Sequence, residues 1–257
     1  MKKLLLTIAC ATPFILFAQQ QTKPAPQIMK PATPFLQAEK TENKADTIIS
    51  KDPNDPSREY IRILNFKGVL TEQGYMKNGR KDGVWREYVN GNGILSKLTE
   101  YNMGRKNGAS ISFSVIGQAT VDETFVNDTL QGKRTTYLSN GRIKNTENYL
   151  NGQLTGEKKS FYEDTKIQEE ALYKNGVRHG LSKWYKQNGK PSLEYNYVEG
   201  DLQGPAKEYD DNGVLKREGN YVANNEEGEW KVYQDSVLQK KVIYKAGQIL
   251  REIPVKK

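Results

Sequence analysis

Gly180-Leu181-Ser182-Lys183-Trp184-Tyr185-Lys186-Gln187-Asn188-Gly189, running on to Tyr197 and Gly204, is one period of a chain that repeats itself. Its first glycine belongs to the series Gly83, Gly108, Gly132, Gly156, Gly180, Gly204 and Gly228, spaced 25 residues once and 24 thereafter. Five residues after each glycine stands an aromatic: Tyr88, Phe113, Tyr137, Phe161, Tyr185, Tyr209 and Tyr233. A second aromatic series keeps step with it: Tyr75, Tyr101, Phe125, Tyr149, Tyr173, Tyr197, Tyr221 and Tyr244. Internal periodicity of this length is the mark of stacked supersecondary units.

Two turn signals divide each period. Asn92-Gly93, Asn140-Gly141, Asn188-Gly189 and Asn212-Gly213 follow the first aromatic, and Asn78-Gly79, Asn151-Gly152 and Asn175-Gly176 follow the second. Asn-Gly tolerates positive φ at both residues, which suits a two-residue type I′ turn. The segments between are strand-length, rich in Tyr, Val, Ile, Leu and Thr, and punctuated too often for helices. Each period therefore reads as a β-hairpin, and the chain as an all-β antiparallel meander of seven to eight tandem hairpins. Asp164-Thr165 and Ser236-Val237 stand in for Asn-Gly, and Ala223-Asn224-Asn225 predicts a longer loop. Glu59 to Phe66 is expected to open the array and Gln239 to Ile253 to close it, with Pro254 blunting the last edge.

Hairpin register can be tested on charge. Folding about Asn188-Gly189 sets Lys183 opposite Glu194, about Asn212-Gly213 sets Lys207 opposite Glu218, and about Asp164-Thr165 sets Lys159 opposite Glu170. Such cross-strand pairs contribute roughly 0.2–1 kcal/mol each. A three-residue loop or a bulge would flip the parity of this construction.

The 257 residues are 36% hydrophobic and 27% charged, too polar for a thick aliphatic core; 15 Tyr supply apolar area whose hydroxyls can stay wet. Lys2, Lys3 and the apolar run Leu4 to Phe17, ending at Ala18, read as a secretory signal peptide over residues 1–18. Residues 19–57 hold six of the ten prolines and read as an extended, disordered linker, leaving 58–253 for the repeats. Cleavage after Ala18 removes Cys10, the sole cysteine; a lipid on Cys10 is the alternative. Localisation is then the periplasm, the outer membrane or the medium. The formal charge of +8 is interleaved with acids, which speaks for solubility rather than nucleic-acid binding.

The unit resembles the MORN repeat variant, in the bacterial group often labelled YwqK-type antitoxins, over about Gly68 to Gly247. The resemblance implies an elongated, twisted antiparallel sheet built one hairpin at a time, with interaction roles such as scaffolding, partner binding or membrane apposition.

Catalytic chemistry has little to work with. His179, the one histidine, sits in Val177-Arg178-His179-Gly180 and reads as a solvated turn residue. With no second histidine and no mature cysteine there is no metal set, no Cys/His pair and no cofactor motif; the glycines read as hairpin-turn residues. The Lys159, Lys183, Lys207 and Lys231 ladder shares strand parity with the aromatic two residues on, so Tyr137, Tyr185, Tyr209 and Tyr233 are expected to line the same face. That stripe is the candidate binding face; the plainer alternative is that the rings stack and the lysine stems cover them. Trp85, Trp184 and Trp230 read as sheet-covering residues. Asp46-Thr47-Ile48, Asp128-Thr129-Leu130 and Asp235-Ser236-Val237 resemble a short O-glycosylation pattern. The expected role is a non-enzymatic, exported binding or scaffolding module for a protein partner, an envelope component or a toxin. An antitoxin and a binder of anionic membrane surfaces are the alternatives.

Overall fold

The computed structural model describes residues 46–89 and 93–255. The expected signal peptide with Ala18 and Cys10, the linker up to residue 45, and Asn92 lie outside the described residues. The strands are β1 (Thr47–Lys51), β2 (Arg58–Leu64), β3 (Leu70–Lys77), β4 (Arg80–Tyr88), β5 (Leu95–Asn102), β6 (Arg105–Phe113) and β7 (Ala119–Val126). They continue with β8 (Thr129–Leu130), β9 (Gly132–Tyr137), β10 (Ile143–Leu150), β11 (Gln153–Leu154), β12 (Gly156–Phe161) and β13 (Ile167–Lys174). The last are β14 (Val177–Tyr185), β15 (Pro191–Val198), β16 (Asp201–Tyr209), β17 (Leu215–Val222), β18 (Asn225–Gln234), β19 (Val237–Lys245) and β20 (Gln248–Pro254). All pair antiparallel in one 20-stranded open meander, with no helix among the described residues. The sheet starts inside the expected linker, because Thr47–Lys51 pairs along β2, and it closes with two strands, β19 and β20, rather than one.

Two kinds of turn alternate along the chain. After the second aromatic the turn is a tight pair with both residues at positive φ: Asn78/Gly79, Met103/Gly104, Asn127/Asp128, Asn151/Gly152, Asn175/Gly176, Glu199/Gly200, Ala223/Asn224 and Ala246/Gly247. This is the type I′ geometry, and Ala223-Asn224 adopts it too, so no longer loop forms there. After the first aromatic the turn differs from the type I′ expectation. At Asn188-Gly189 only Gly189 has positive φ (81°). Lys186 N–H donates to Lys190 O at 2.8 Å and Gly189 N–H to Lys186 O at 2.8 Å, a three-residue loop with a left-handed third position. Thr165 fills that position at φ 74°. At the last hairpin the turn residues are Asp235 and Ser236, both at positive φ, not Ser236-Val237.

The three-residue loop and the bulge beside it cancel. Tyr185 pairs with Pro191 but Trp184 with Leu193, passing over Ser192, and from there Lys183 faces Glu194 as the two-residue construction requires. Lys207 likewise faces Glu218 and Lys159 faces Glu170.

The repeat glycine is a strand residue, not a turn residue. Ala171 pairs with Ser182 and Tyr173 with Arg178, so His179, Gly180 and Leu181 bulge against Leu172. Gly180 sits at φ 100°, a region L side chains rarely enter, and an added Cβ would lie 3.2 Å from Leu172 Cδ1. Two extra residues leave side-chain parity unchanged, so each strand keeps its faces through the bulge.

Parity then sorts the sheet into a buried and an open face. Trp85, Thr99, Ser110, Ala171, Ser182, Ala206, Trp230 and Val242 form one row across the buried face. Trp230 and Ser182 are 0% exposed. The tryptophans lie over glycines of the preceding strand: a Cβ on Gly74 would meet the Trp85 ring at 2.6 Å, and one on Gly219 the Trp230 ring. Each indole donates to a backbone carbonyl, Trp85 Nε1 to Tyr75 O at 2.7 Å and Trp230 Nε1 to Asn220 O at 3.2 Å. Edge-to-face contacts link Trp184, Tyr195, Tyr221, Trp230 and Tyr244 at centroid distances of 5.2–6.1 Å. Midway along the row, between Ser110 and Ala171, it turns ionic: Arg134 bridges Glu123 and Glu147, both at 2.9 Å.

The two aromatic series therefore do not share one core. Strand parity puts Tyr101, Phe125, Tyr149, Tyr173, Tyr197, Tyr221 and Tyr244 on the buried face and the first series on the open face. Tyr75 leaves its series: it pairs with Tyr60 on the open face, ring centroids 5.0 Å apart, because it stands three residues before its turn at Asn78 where the others stand two before theirs, and Met76 takes the inward position.

Candidate binding face

The open face of the C-terminal half is organised by one row. Register sets Lys159 (β12), Glu170 (β13), Lys183 (β14), Glu194 (β15), Lys207 (β16), Glu218 (β17) and Lys231 (β18) side by side, so each interior residue has an opposite charge on both sides. Lys159 Nζ lies 3.1 Å from Glu170 and 3.0 Å from Glu157, Lys183 Nζ 3.7 Å from Glu194, and Lys231 Nζ 3.6 Å from Glu218. Lys207 is exposed and has no carboxylate within 4 Å among the described residues. The row ends at Lys241, where Lys231 meets a like charge.

The first aromatic series runs beside this row and is bound to it. Tyr185 donates its hydroxyl to Glu170 at 3.0 Å, Tyr209 to Glu194 at 3.2 Å and Tyr233 to Glu218 at 2.8 Å. Burial, and then the hydrogen bond to Glu170, push the Tyr185 phenol up to about 12; burial, and then the nearby Glu194 charge, do the same for Tyr209. Burial alone would raise Glu170, but hydrogen bonds from Lys159 and Tyr185 outweigh it and hold its carboxyl below the usual value. Tyr137 occupies the same face without a carboxylate bond; burial, then the charge of Asp122, raise its phenol. The face is thus a repeating Tyr–Glu–Lys unit, half-buried, with lysine ends and ring edges at the surface.

The three tryptophans fall on the other face, where they cover the sheet. His179 belongs to a ladder at the position before each repeat glycine. There Asp82, Asn107, Gln131, His179, Gln203 and Glu227 each accept the N–H of the first type I′ residue one repeat on, at 2.7–3.5 Å. The second residue of those turns donates to a backbone carbonyl of the previous unit, for example Gly200 N–H to Arg178 O at 2.9 Å. His179 is therefore a half-buried strand residue that joins neighbouring units through Nδ1, not a solvated turn residue. The signal was in the sequence: every residue preceding a repeat glycine is polar, including Thr155. His179 and Glu199 also edge a shallow, open depression with Lys174, Asn175 and Val177. Among the described residues no group of three His, Cys, Asp or Glu is placed to hold a metal ion.

The MORN repeat variant family matches the chain at residues 154–175, 178–199 and 202–223. Over these residues the chain is built of tandem MORN repeat variants. Each match begins on the leading strand and ends on the first residue of the next type I′ turn, so the family unit is one hairpin of the sheet. The same pairing continues on both sides of the matched stretch. A comparison with curated proteins finds no match.

Proposed function

We propose that this chain is a non-enzymatic repeat module that is exported and holds a protein partner at the cell envelope, using its open face. MORN repeats are consistent with a binding module. The observation that carries the reading is the asymmetry of the sheet. One face is closed by Trp, Tyr and Arg, while the other presents Tyr137, Tyr185, Tyr209 and Tyr233 beside Lys159, Lys183, Lys207 and Lys231 at a constant step. Rigid tyrosines on a preformed sheet lose little entropy on binding, and the lysine ends beside them favour partners that are flat and acidic. Lys2, Lys3 and the Leu4–Phe17 run support export. The test is recovery of partners from envelope extract by the chain and by a Tyr185→Ala/Lys183→Glu variant. A partner lost with the variant supports the face, whereas unchanged recovery rejects it. Retention on anionic vesicles that salt abolishes would instead support a membrane-surface role.

A further inference from the structure

Among the described residues the hairpin array begins and ends in mid-unit. Each unit has a leading strand, entering the loop after the first aromatic, and a trailing strand leaving it. Eight complete units run from β2–β3 to β18–β19. Ahead of them β1 stands in a trailing position, and among the described residues it has no leading strand and pairs with β2 alone. Behind them β20 stands in a leading position, and among the described residues it has no trailing strand and pairs with β19 alone. Both edges expose aliphatic side chains: Ile49 is 57%, Ile249 56% and Leu250 62% exposed.

We propose that β20 of one copy pairs antiparallel with β1 of a second copy, completing a hairpin unit between them and allowing head-to-tail growth of the sheet. Two independent features agree on the register. The first is side-chain row continuity. The open-face row of Arg62, Gln73 and Arg86 passes through Ile48 on β1, and the row of Lys231 and Lys241 passes through Ile253 on β20. Joining the rows sets Ile253 beside the second copy's Ile48, apolar on apolar. The second is the direction of the backbone groups. Leu64 N–H donates to Asp46 O, so Ile48 and Ser50 face β2, while Thr47 and Ile49 turn their N–H and C=O outward. Val255 N–H donates to Gln239 O, so Glu252 and Pro254 turn outward on β20. The register that aligns Ile253 with Ile48 also aligns Glu252 with Ile49 and Pro254 with Thr47, outward group against outward group. Pro254 lacks an N–H and there accepts only, from Thr47. Because the two surfaces differ, the contact is heterologous and does not stop at two copies unless the rotation closes a ring.

The test is sedimentation of the full chain over a broad concentration range with two edge variants. Ile49→Pro and Glu252→Pro each remove an outward N–H that neither strand uses internally. The unaltered chain is expected to form species larger than a dimer that grow with concentration. Either variant alone should remain monomeric, while an equimolar mixture of the two should form a one-to-one dimer and nothing larger. A monomeric unaltered chain, proline variants that assemble like it, or Ile49→Pro pairing with itself would overturn the proposal. Should the prolines disturb folding, oxidation decides. In a Cys10→Ser background, Ile48→Cys/Ile253→Cys should give a ladder of disulfide-linked multimers and Ile48→Cys alone should not; absence of the ladder would overturn it.

Discussion

Gly180 shows how one residue type serves two purposes in this chain. Gly189 closes a loop, but Gly180 lets a strand bulge by two residues and keep its faces. Gly180→Ala meets both a positive φ and Leu172, and we expect it to cost about 1–3 kcal/mol, read as a lower urea midpoint. Gly219→Ala fails differently, by driving a methyl into the Trp230 ring, and overpacking of that kind costs about 1–3 kcal/mol. A Gly219→Ala/Trp230→Leu double variant should recover part of that loss, and Gly180→Ala should not be helped by it. The tyrosines carry a pH signature. The phenols of Tyr185 and Tyr209 are raised in the fold, so their contribution is complete below the ordinary tyrosine value near 10 and is lost as pH climbs toward about 12. Ultraviolet titration should show a late-ionising set that shrinks in Tyr185→Phe and Tyr209→Phe. Ionisation of all tyrosines at the ordinary value would contradict the Tyr–Glu bonds.

At the level of the hairpin, the Lys–Glu row is the element that charge can probe. Lys183→Glu places three carboxylates in a line between β13 and β15 and should lower stability by about 1 kcal/mol. The loss should shrink in high salt, because the groups are about a third exposed; a salt-independent loss would point to packing instead. This row was legible before the structure, since opposite charges fall into register on three hairpins. It survived for a reason that sequence spacing hides: the loop at Asn188-Gly189 has three residues, and passing over Ser192 restores the parity. Asn-Gly predicts type I′ at both turns, yet only one class adopts it, because a dipeptide cannot report the bulge that follows. Equal spacing of the two aromatic series says nothing about which face each takes; the strand offset between them does. Tyr75 was separable in principle, its step to Tyr101 being 26 residues where the others are 24 or less. The acceptors before the repeat glycines were missed because their identities vary from Asp to His, and only their shared ability to accept an N–H unites them.

For the whole molecule, every described strand is held by its sequence neighbours, so stability should be a sum over units and their interfaces. Hydrogen exchange should be slowest where Trp85 and Trp230 anchor the buried row and fastest in β1 and β20, which have one partner each among the described residues. Uniform protection from Thr47 to Pro254 would argue for a closed body rather than an open meander. The most direct measurement is the set of inter-strand backbone NOEs across the Lys–Glu row. Hairpin units stacked in this register require Lys183 to be tied to both Glu170 and Glu194, and Lys207 to both Glu194 and Glu218. Contacts from Lys183 to only one of the two glutamates, or a row broken between β13 and β17, would contradict the repeat architecture on which the binding face rests.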